Sequence, residues 1–248
     1  MVKERPQNDA LAASEVRAPA LAAVDGLVHG FGRRAHGDRH ERPEQTGARV
    51  AKTLAAHGRL LLLRQVHGTV VLAAPWQGLP EGDAATADRQ GLLVGVKTAD
   101  CLPVLIVDPR RRAVAAIHAG WRGSAAGIVR CAVDALRRAG SRPPDLLAAL
   151  GPGIGPCCYE VGDDVRSAFG PAGLDCLAPG ARGRWQLDVR AANRKQLTEA
   201  GLDPTHLHDI EECTCCQPRR YYSYRREGPA TGRMISYVGW SAGDGGGR

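Results

Sequence analysis

Short apolar runs bounded by Gly, Pro and Asp set the pattern of the chain from residue 60 onwards. Residues 60–66 read as a buried strand, which Gly68 turns into a second at 70–72. Residues 92–98 form another, and 103–107 and 113–117 follow as a pair joined by the basic turn Asp108-Pro109-Arg110. The period then changes. Ile128, Ala132 and Leu136 recur at four-residue spacing with Val129 and Val133 beside them, which predicts an amphipathic helix. Ser124 is its expected N-cap, and Arg137, Arg138 and Gly140 form its expected end. A strand at 146–150 stops at Gly151-Pro152-Gly153. A second helix is expected from about Asp188 to Ala200, terminated by Gly201, with closing strands at 221–225 and 234–238. Adjacent strands outnumber intervening helices. The pattern therefore predicts a single α/β (α+β) domain with mostly antiparallel or mixed sheets, without the regular alternation of a doubly wound nucleotide-binding fold.

The two ends break this pattern. Residues 1–24 are Ala-rich and polar, with Pro6 and Pro19, and are expected to form a loose tail. Residues 241–248 are mostly Gly and are expected to be disordered, which leaves 25–240 as the folded domain. A length of 248 residues suits one large domain, and with aromatics at 4% its core must be aliphatic. The N-terminus lacks the apolar segment of a secretory leader, and no run is long enough to cross a membrane. The expected location is cytoplasmic, with reduced thiols. The eight cysteines are accordingly not a disulfide framework. The adjacent pairs Cys157-Cys158 and Cys215-Cys216 read as packing residues, and Cys213-x-Cys215 lacks the spacer of a zinc knuckle.

Charge narrows the partners. Of 33 basic residues, only Lys3, Lys52, Lys97 and Lys195 are lysines. Arginine forks suit phosphate and carboxylate, although a coding bias towards Arg on a solvated surface explains the same count. The basic residues are scattered and form no helical stripe, which argues against a nucleic-acid partner.

Candidate chemistry gathers at three positions near the ends of apolar runs: His67, Cys101 and His118. Two imidazoles and a thiolate are zinc-type donors, and three protein ligands with an open fourth position is the pattern of a catalytic site. Taken singly, each residue is equally a hydrogen-bonded structural histidine or a small buried hydrophobe. Asp100, beside Cys101, is able to orient a ligand or a water. The turn Gly120-Trp121-Arg122-Gly123 leads into a helix whose N–H groups favour anions, with Arg122 as a further fork. Gly151 to Pro156 does not fit a dinucleotide loop and reads as a rigid pocket wall. Tyr221 to Arg226 reads either as a strand lining a pocket or as a charged edge strand, and Asp83 as a loop acid.

Together these segments resemble one family. They are Arg64-Gln65-Val66-His67-Gly68, Thr98-Ala99-Asp100-Cys101-Leu102-Pro103, His118 to Gly123, Gly151 to Gly162, Cys213-Thr214, Tyr222-Ser223-Tyr224-Arg225-Arg226 and Thr231-Gly232-Arg233-Met234. The family is the laccase-domain proteins, also called multicopper polyphenol oxidase-like or YfiH-like, which includes the bacterial peptidoglycan editing factor. The resemblance spans residues 28 to 240. It implies a layered sheet-and-helix domain similar to the catalytic domain of cytotoxic necrotizing factors, and zinc held by His67, Cys101 and His118. It also implies purine nucleoside phosphorylase activity on adenosine, inosine and methylthioadenosine, with adenosine deamination. A purine nucleoside and phosphate would be the partners of a monomer or weak oligomer. On that reading Asp100, Cys101 and His118 are catalytic, Asp100 or Asp83 shuttles a proton, and Asp83, Arg122, Tyr224 and Arg225 meet substrate. One departure stands out. The family's Ser-Leu-Asn-Leu-Gly segment and Glu-Asn-Arg helix are missing after Arg34, so phosphate or ribose contacts made there by relatives must be rebuilt from other groups.

Three rival readings remain. One is a metal-free Cys–His hydrolase acting on an amide, with Cys101 as nucleophile and His118 as base, in a peptidoglycan-precursor editing role. Another is a copper oxidase, which the two methionines and the single His206-x-His208 pair disfavour. The last is a partner protein that uses zinc only for shape.

Overall fold

The computed structural model describes residues 15–34, 43–170 and 175–243. The chain begins with β1 (Glu15–Val16), α1 (Pro19–Ala22) and β2 (Leu27–Gly32), followed by α2 (Pro43–Thr53), β3 (Arg59–Leu61) and β4 (Val71–Ala73). The central strands are β5 (Ala84–Ala87), β6 (Leu92–Thr98), β7 (Leu102–Asp108) and β8 (Ala113–Ala119). Then come the short α3 (Trp121–Ala125), α4 (Ile128–Arg138) and β9 (Leu147–Leu150). The last part holds β10 (Glu160–Val161), α5 (Asp163–Phe169), β11 (Leu177–Pro179), β12 (Trp185–Leu187), α6 (Val189–Glu199), β13 (Leu207–Asp209), α7 (Tyr224–Glu227) and β14 (Met234–Trp240).

Two large sheets stack between helices, in a mixed α/β fold. One has the order β1-β2-β14-β6-β3, the other β13-β9-β7-β8-β5-β4; a small third sheet is β10-β12-β11. Both large sheets are mixed, since β3–β6, β4–β5 and β9–β13 pair in parallel and the remaining pairs are antiparallel. Strand period explains the layers. In β7, Leu102, Val104 and Ile106 pack towards α4 and α6, whereas Leu105 and Val107 pack against Val94, Val96 and Val238 of the other sheet. Strands buried on both faces read as continuous apolar runs, as β7 and β8 do. On the far side, α2 and its flank cover Leu93, Ile235 and Tyr237 with Val50 and Leu54.

Several expectations need correction. The strand expected at 60–66 ends at Leu61. Its place beside β6 is taken by the Gln65 side chain, which accepts from Lys97 N at 2.9 Å and donates to Lys97 O at 2.7 Å. The long helix does not start at Ser124. That residue lies inside α3, and the chain breaks at Gly127, whose φ of 86° admits glycine most easily. Residues 221–225 are not a strand of either kind. Tyr221 and Tyr222 are buried in a loop against Ala99 and Met234, and Ser223 caps α7 by accepting from Arg226 N. A helix, α2, follows Arg34 without the family's Glu-Asn-Arg residues; residues 35–42, where the missing Ser-Leu-Asn-Leu-Gly segment would fall, lie outside the described residues.

The tail boundaries shift as well. Residues 1–14 and 244–248 lie outside the described residues, but 15–24 are packed onto the domain. Glu15 and Val16 pair with Gly32 and Phe31, and Leu21 is fully buried. Glu15 accepts from Arg17 Nε at 2.8 Å and from the Tyr237 hydroxyl. Ala18 N donates to His29 Nε2 at 3.2 Å.

That last bond makes His29 a pH-sensitive tie. Burial, reinforced by Arg17, pulls its pKa from 6.5 down to about 4. The unfolded chain therefore takes up a proton first as pH falls. Stability from this group is complete above pH 6.5 and is lost on descending to about 4, a span worth about 3 kcal/mol. Denaturant unfolding of wild type and His29→Gln at a series of pH values checks this: the variant is expected to lose markedly less stability across that window.

Candidate functional site

Register assembles the candidate centre. β7 and β8 form an antiparallel pair in which Leu102 faces Ala119 and Pro103 faces His118. Cys101, one residue before β7, is thereby carried to the end of β8, where His118 points. β5 pairs with the other edge of β8, Ala84 opposite Ile117, so Asp83 arrives beside His118. The parallel pairing of β4 with β5 then brings the loop of His67 over Asp83, whose N donates to Val70 O at 3.0 Å.

Asp83 organises both imidazoles. Its carboxylate lies 2.8 Å from His118 Nδ1 and accepts from Val66, His67 and Gly68 N at 3.2, 2.9 and 2.7 Å. Three successive N–H groups around one anion form a backbone nest, which holds His67 at φ 62° in the left-handed region. The bond at Nδ1 turns His118 Nε2 towards the centre. His67 Nε2 and Cys101 Sγ are 4.0 Å apart, the two rings meet edge-on at 4.8 Å between centroids, and all three donor atoms lie within 4.8 Å of one another. Tetrahedral zinc with bonds of 2.0–2.3 Å places N and S donors about 3.5 Å apart, so the trio fits such an ion with a small contraction. Gly120 allows the approach: a Cβ there would lie 3.0 Å from the His67 ring and 3.1 Å from Cys101 Sγ.

The three groups perturb one another. Burial raises the Cys101 thiol, but the neighbouring His118 and His67 outweigh it and bring its pKa to about 6. Burial lowers His118, but Cys101 and Asp83 outweigh it and hold it near 9. Burial also opposes the Asp83 charge, yet the His118 contact and the nest keep that carboxyl below its usual range. Such mutual stabilisation of charged forms favours a thiolate donor.

A cavity of about 700 Å³ opens over the trio. Asp100, Cys101, His118, Arg122, Tyr224 and Arg225 line it, as does His67. Asp83 does not: it is fully buried beneath the histidines, so its expected contact with substrate is corrected to a supporting one. Asp100, at φ 87°, is spent on Thr214 Oγ1 at 2.6 Å, Ser223 Oγ at 3.0 Å and Arg225 N at 2.6 Å. The Arg225 guanidinium donates to the carbonyls of Cys158 and Glu160. Arg122 lies over the Trp121 ring and has no ion pair among the described residues.

Sequence reading missed Glu44, Lys97 and Tyr159 on the cavity wall, where Arg233 also lies. Burial lowers the Lys97 pKa, Glu44 opposes this and Arg233 adds to it. Lys97 lies at the end of an apolar strand, so its only local signal was a charge there. His206 and His208 belong to neither donor cluster among the described residues.

Comparison with known proteins agrees with this architecture. Residues 29–241 match the family described as multi-copper polyphenol oxidoreductase laccase. The chain is 36% identical over 240 residues to a protein named purine nucleoside phosphorylase from Deinococcus radiodurans, covering 90% of this chain and 92% of that one. It is 41% identical over 180 residues to a similarly named protein from Pseudomonas aeruginosa, covering 71% and 72%. A protein named adenosine deaminase RL5, from an unknown prokaryotic organism, is 37% identical over 160 residues, covering 63% and 61%. The crystal structure of YlmD from Geobacillus stearothermophilus superposes with a TM-score of 0.82 at 30% identity, covering 92% of this chain and 96% of that one. Bacillus licheniformis YfiH superposes at 0.81 and 28% identity, covering 88% and 94%. The chain belongs to the multi-copper polyphenol oxidoreductase laccase family, whose relatives include YfiH and YlmD.

Proposed function

We propose that this chain is a zinc-dependent purine nucleoside phosphorylase acting on adenosine, inosine and methylthioadenosine, with adenosine deaminase activity at the same site. The observation that carries this reading is that one cavity holds both the His67–Cys101–His118 donor trio and the cations Arg64, Lys97, Arg122, Arg225 and Arg233. The names of its relatives point the same way.

His67, Cys101 and His118 would hold the metal. Bound zinc supplies Lewis acidity and acidifies water, the chemistry that deamination of an adenine ring needs. The remaining work falls to the chain. Asp83 fixes the donor tautomer of His118 and the position of His67. Trp121 and Tyr159 offer ring surfaces to a purine. Arg122 and Lys97 grip phosphate, aligning it on the anomeric carbon and offsetting its charge as the glycosidic bond loosens. With Asp83 and Asp100 both engaged in hydrogen bonds, Asp100 orients the Arg225 backbone, and Glu44 is the cavity carboxylate left, among the described residues, to hold a proton.

The metal-free hydrolase is the second reading, favoured by the order Asp83–His118–Cys101, which follows the orienter, base and nucleophile arrangement of a triad. Zinc-loaded protein incubated with adenosine and phosphate decides between them. Ribose-1-phosphate with adenine, or inosine, is expected; finding none of these rejects the proposal. Amidase activity that survives strong chelation but not alkylation of Cys101 would establish the second reading.

Two substitutions resolve the roles. Arg122→Ala and Lys97→Met are each expected to raise KM for phosphate by about 10–100-fold, the worth of a charged hydrogen bond, while phosphate-independent deamination changes little. Steady-state kinetics of both reactions provide the check. Asp83→Asn is expected to weaken zinc affinity by about 10–100-fold, read by competition with a chromogenic chelator; unchanged affinity would contradict its supporting role.

A further inference from the structure

We propose a second metal site, distinct from the centre above: Cys157, Cys158, Cys213 and Cys216 hold a soft divalent cation, zinc by donor chemistry, in an all-sulfur structural shell. Their four sulfurs lie within 4.8 Å of one another, although Cys157-Cys158 and Cys213-x-x-Cys216 come from segments far apart in the chain. None of the four lines the cavity over His67.

Three observations carry this. The first is spacing. Cys216 Sγ lies 3.6 Å from Cys157 Sγ and 3.4 Å from Cys158 Sγ. Four sulfurs at about 2.3 Å from a tetrahedral zinc stand about 3.8 Å apart, so the cluster is near that size without rearrangement. The second is exposure. Free cysteines are typically buried as small hydrophobes, yet Cys157 and Cys216 are exposed, where packing gives them no reason to converge. The third is the support around the sulfurs. Gly155 N donates to Cys213 Sγ at 3.2 Å, the kind of outer bond that stabilises a thiolate ligand.

The site also has work to do. Between Ile210 and Tyr221 no side chain belongs to a hydrophobic cluster, and the same holds from Gly151 to Cys158. These two irregular segments still line or support the cavity. Thr214 bonds Asp100, Ile154 lines the wall, and Arg225 holds the Cys158 carbonyl. Arg226 donates to the carbonyls of Thr214 and Cys215 at 2.8 and 2.7 Å. On loading, four S–Zn bonds form and four thiol protons pass to solvent. The net negative charge of the shell then lies near Arg225 and Arg226 of α7, whose guanidinium groups donate to the carbonyls of Cys158 and Cys215. A metal there would fasten the two segments where apolar packing is thin.

The test is metal content with X-ray absorption at the zinc edge, on full-length protein purified under reducing conditions and loaded with zinc. Wild type is expected to hold two ions per chain, one for each donor cluster. A Cys101→Ser/His118→Ala double variant, which leaves the four cysteines intact, should keep one ion with only sulfur neighbours at about 2.3 Å. Cys157→Ser/Cys216→Ser should lose that shell while retaining a mixed nitrogen–sulfur one. If the first variant binds no zinc, or the reduced protein pairs Cys216 with Cys157 or Cys158 as a disulfide, the proposal is overturned. Because this readout bypasses turnover, failure of the nucleoside reading leaves it intact, and the converse also holds.

Discussion

One buried carboxylate holds the candidate centre together. Asp83 has no solvent exposure, and its two oxygens serve four partners on two separate segments: the imidazole of His118 and the N–H groups of Val66, His67 and Gly68. Burying such a charge is costly unless every lone pair is used. Here they are used by the two histidine-bearing segments, so neither segment moves without leaving an unpaired charge. The left-handed backbone at His67 and the close approach at Gly120 are tolerated because this constraint holds them.

The stacked sheets serve the same end. β8 lies between β7 and β5, and the end of that strand is where Cys101, His118 and Asp83 meet. Small residues along β5 and β8 let neighbouring layers close on one another: Ala84, Ala85, Ala87, Ala113, Ala115, Ala116 and Ala119 are all buried. Rigid strands place donors more reproducibly than loops. One side of the cavity is Tyr224 and Arg225 of α7 with Ile154 of the Gly-rich segment after β9. It is tied by polar contacts through Asp100, Arg225 and Arg226 where apolar ones are few.

Donor identity and ligand charge are separate features of the cavity. The trio suits a metal, and the surrounding cations suit an anion. An oxidase for neutral phenols would have no use for Arg64, Lys97, Arg122 and Arg233 around one opening. A site that unites a nucleoside with phosphate uses both features.

The sequence by itself determined a good deal. Apolar runs located β6, β7, β8, β9 and β14, four-residue spacing located α4, and Asp188 with Gly201 marked α6. The motifs identified His67, Cys101 and His118, which the fold brings together. Those signals are local, fixed by side-chain period and by residue type. What only the tertiary structure decided is long-range. Ala-rich β5 and Gly-interrupted β2 were not legible as strands and are strands because neighbours pair with them. Gln65 stands in for a strand by hydrogen-bonding Lys97 through its side chain. Asp83 reads as a loop acid until the β5–β8 register sets it under His118. Cys157 and Cys158 read as packing residues, and Cys213-x-Cys215 as lacking a knuckle spacer, until folding gathers Cys157, Cys158, Cys213 and Cys216. Hydrogen-bond ladders set such pairings between residues far apart in the chain, and a linear pattern does not encode which edge meets which.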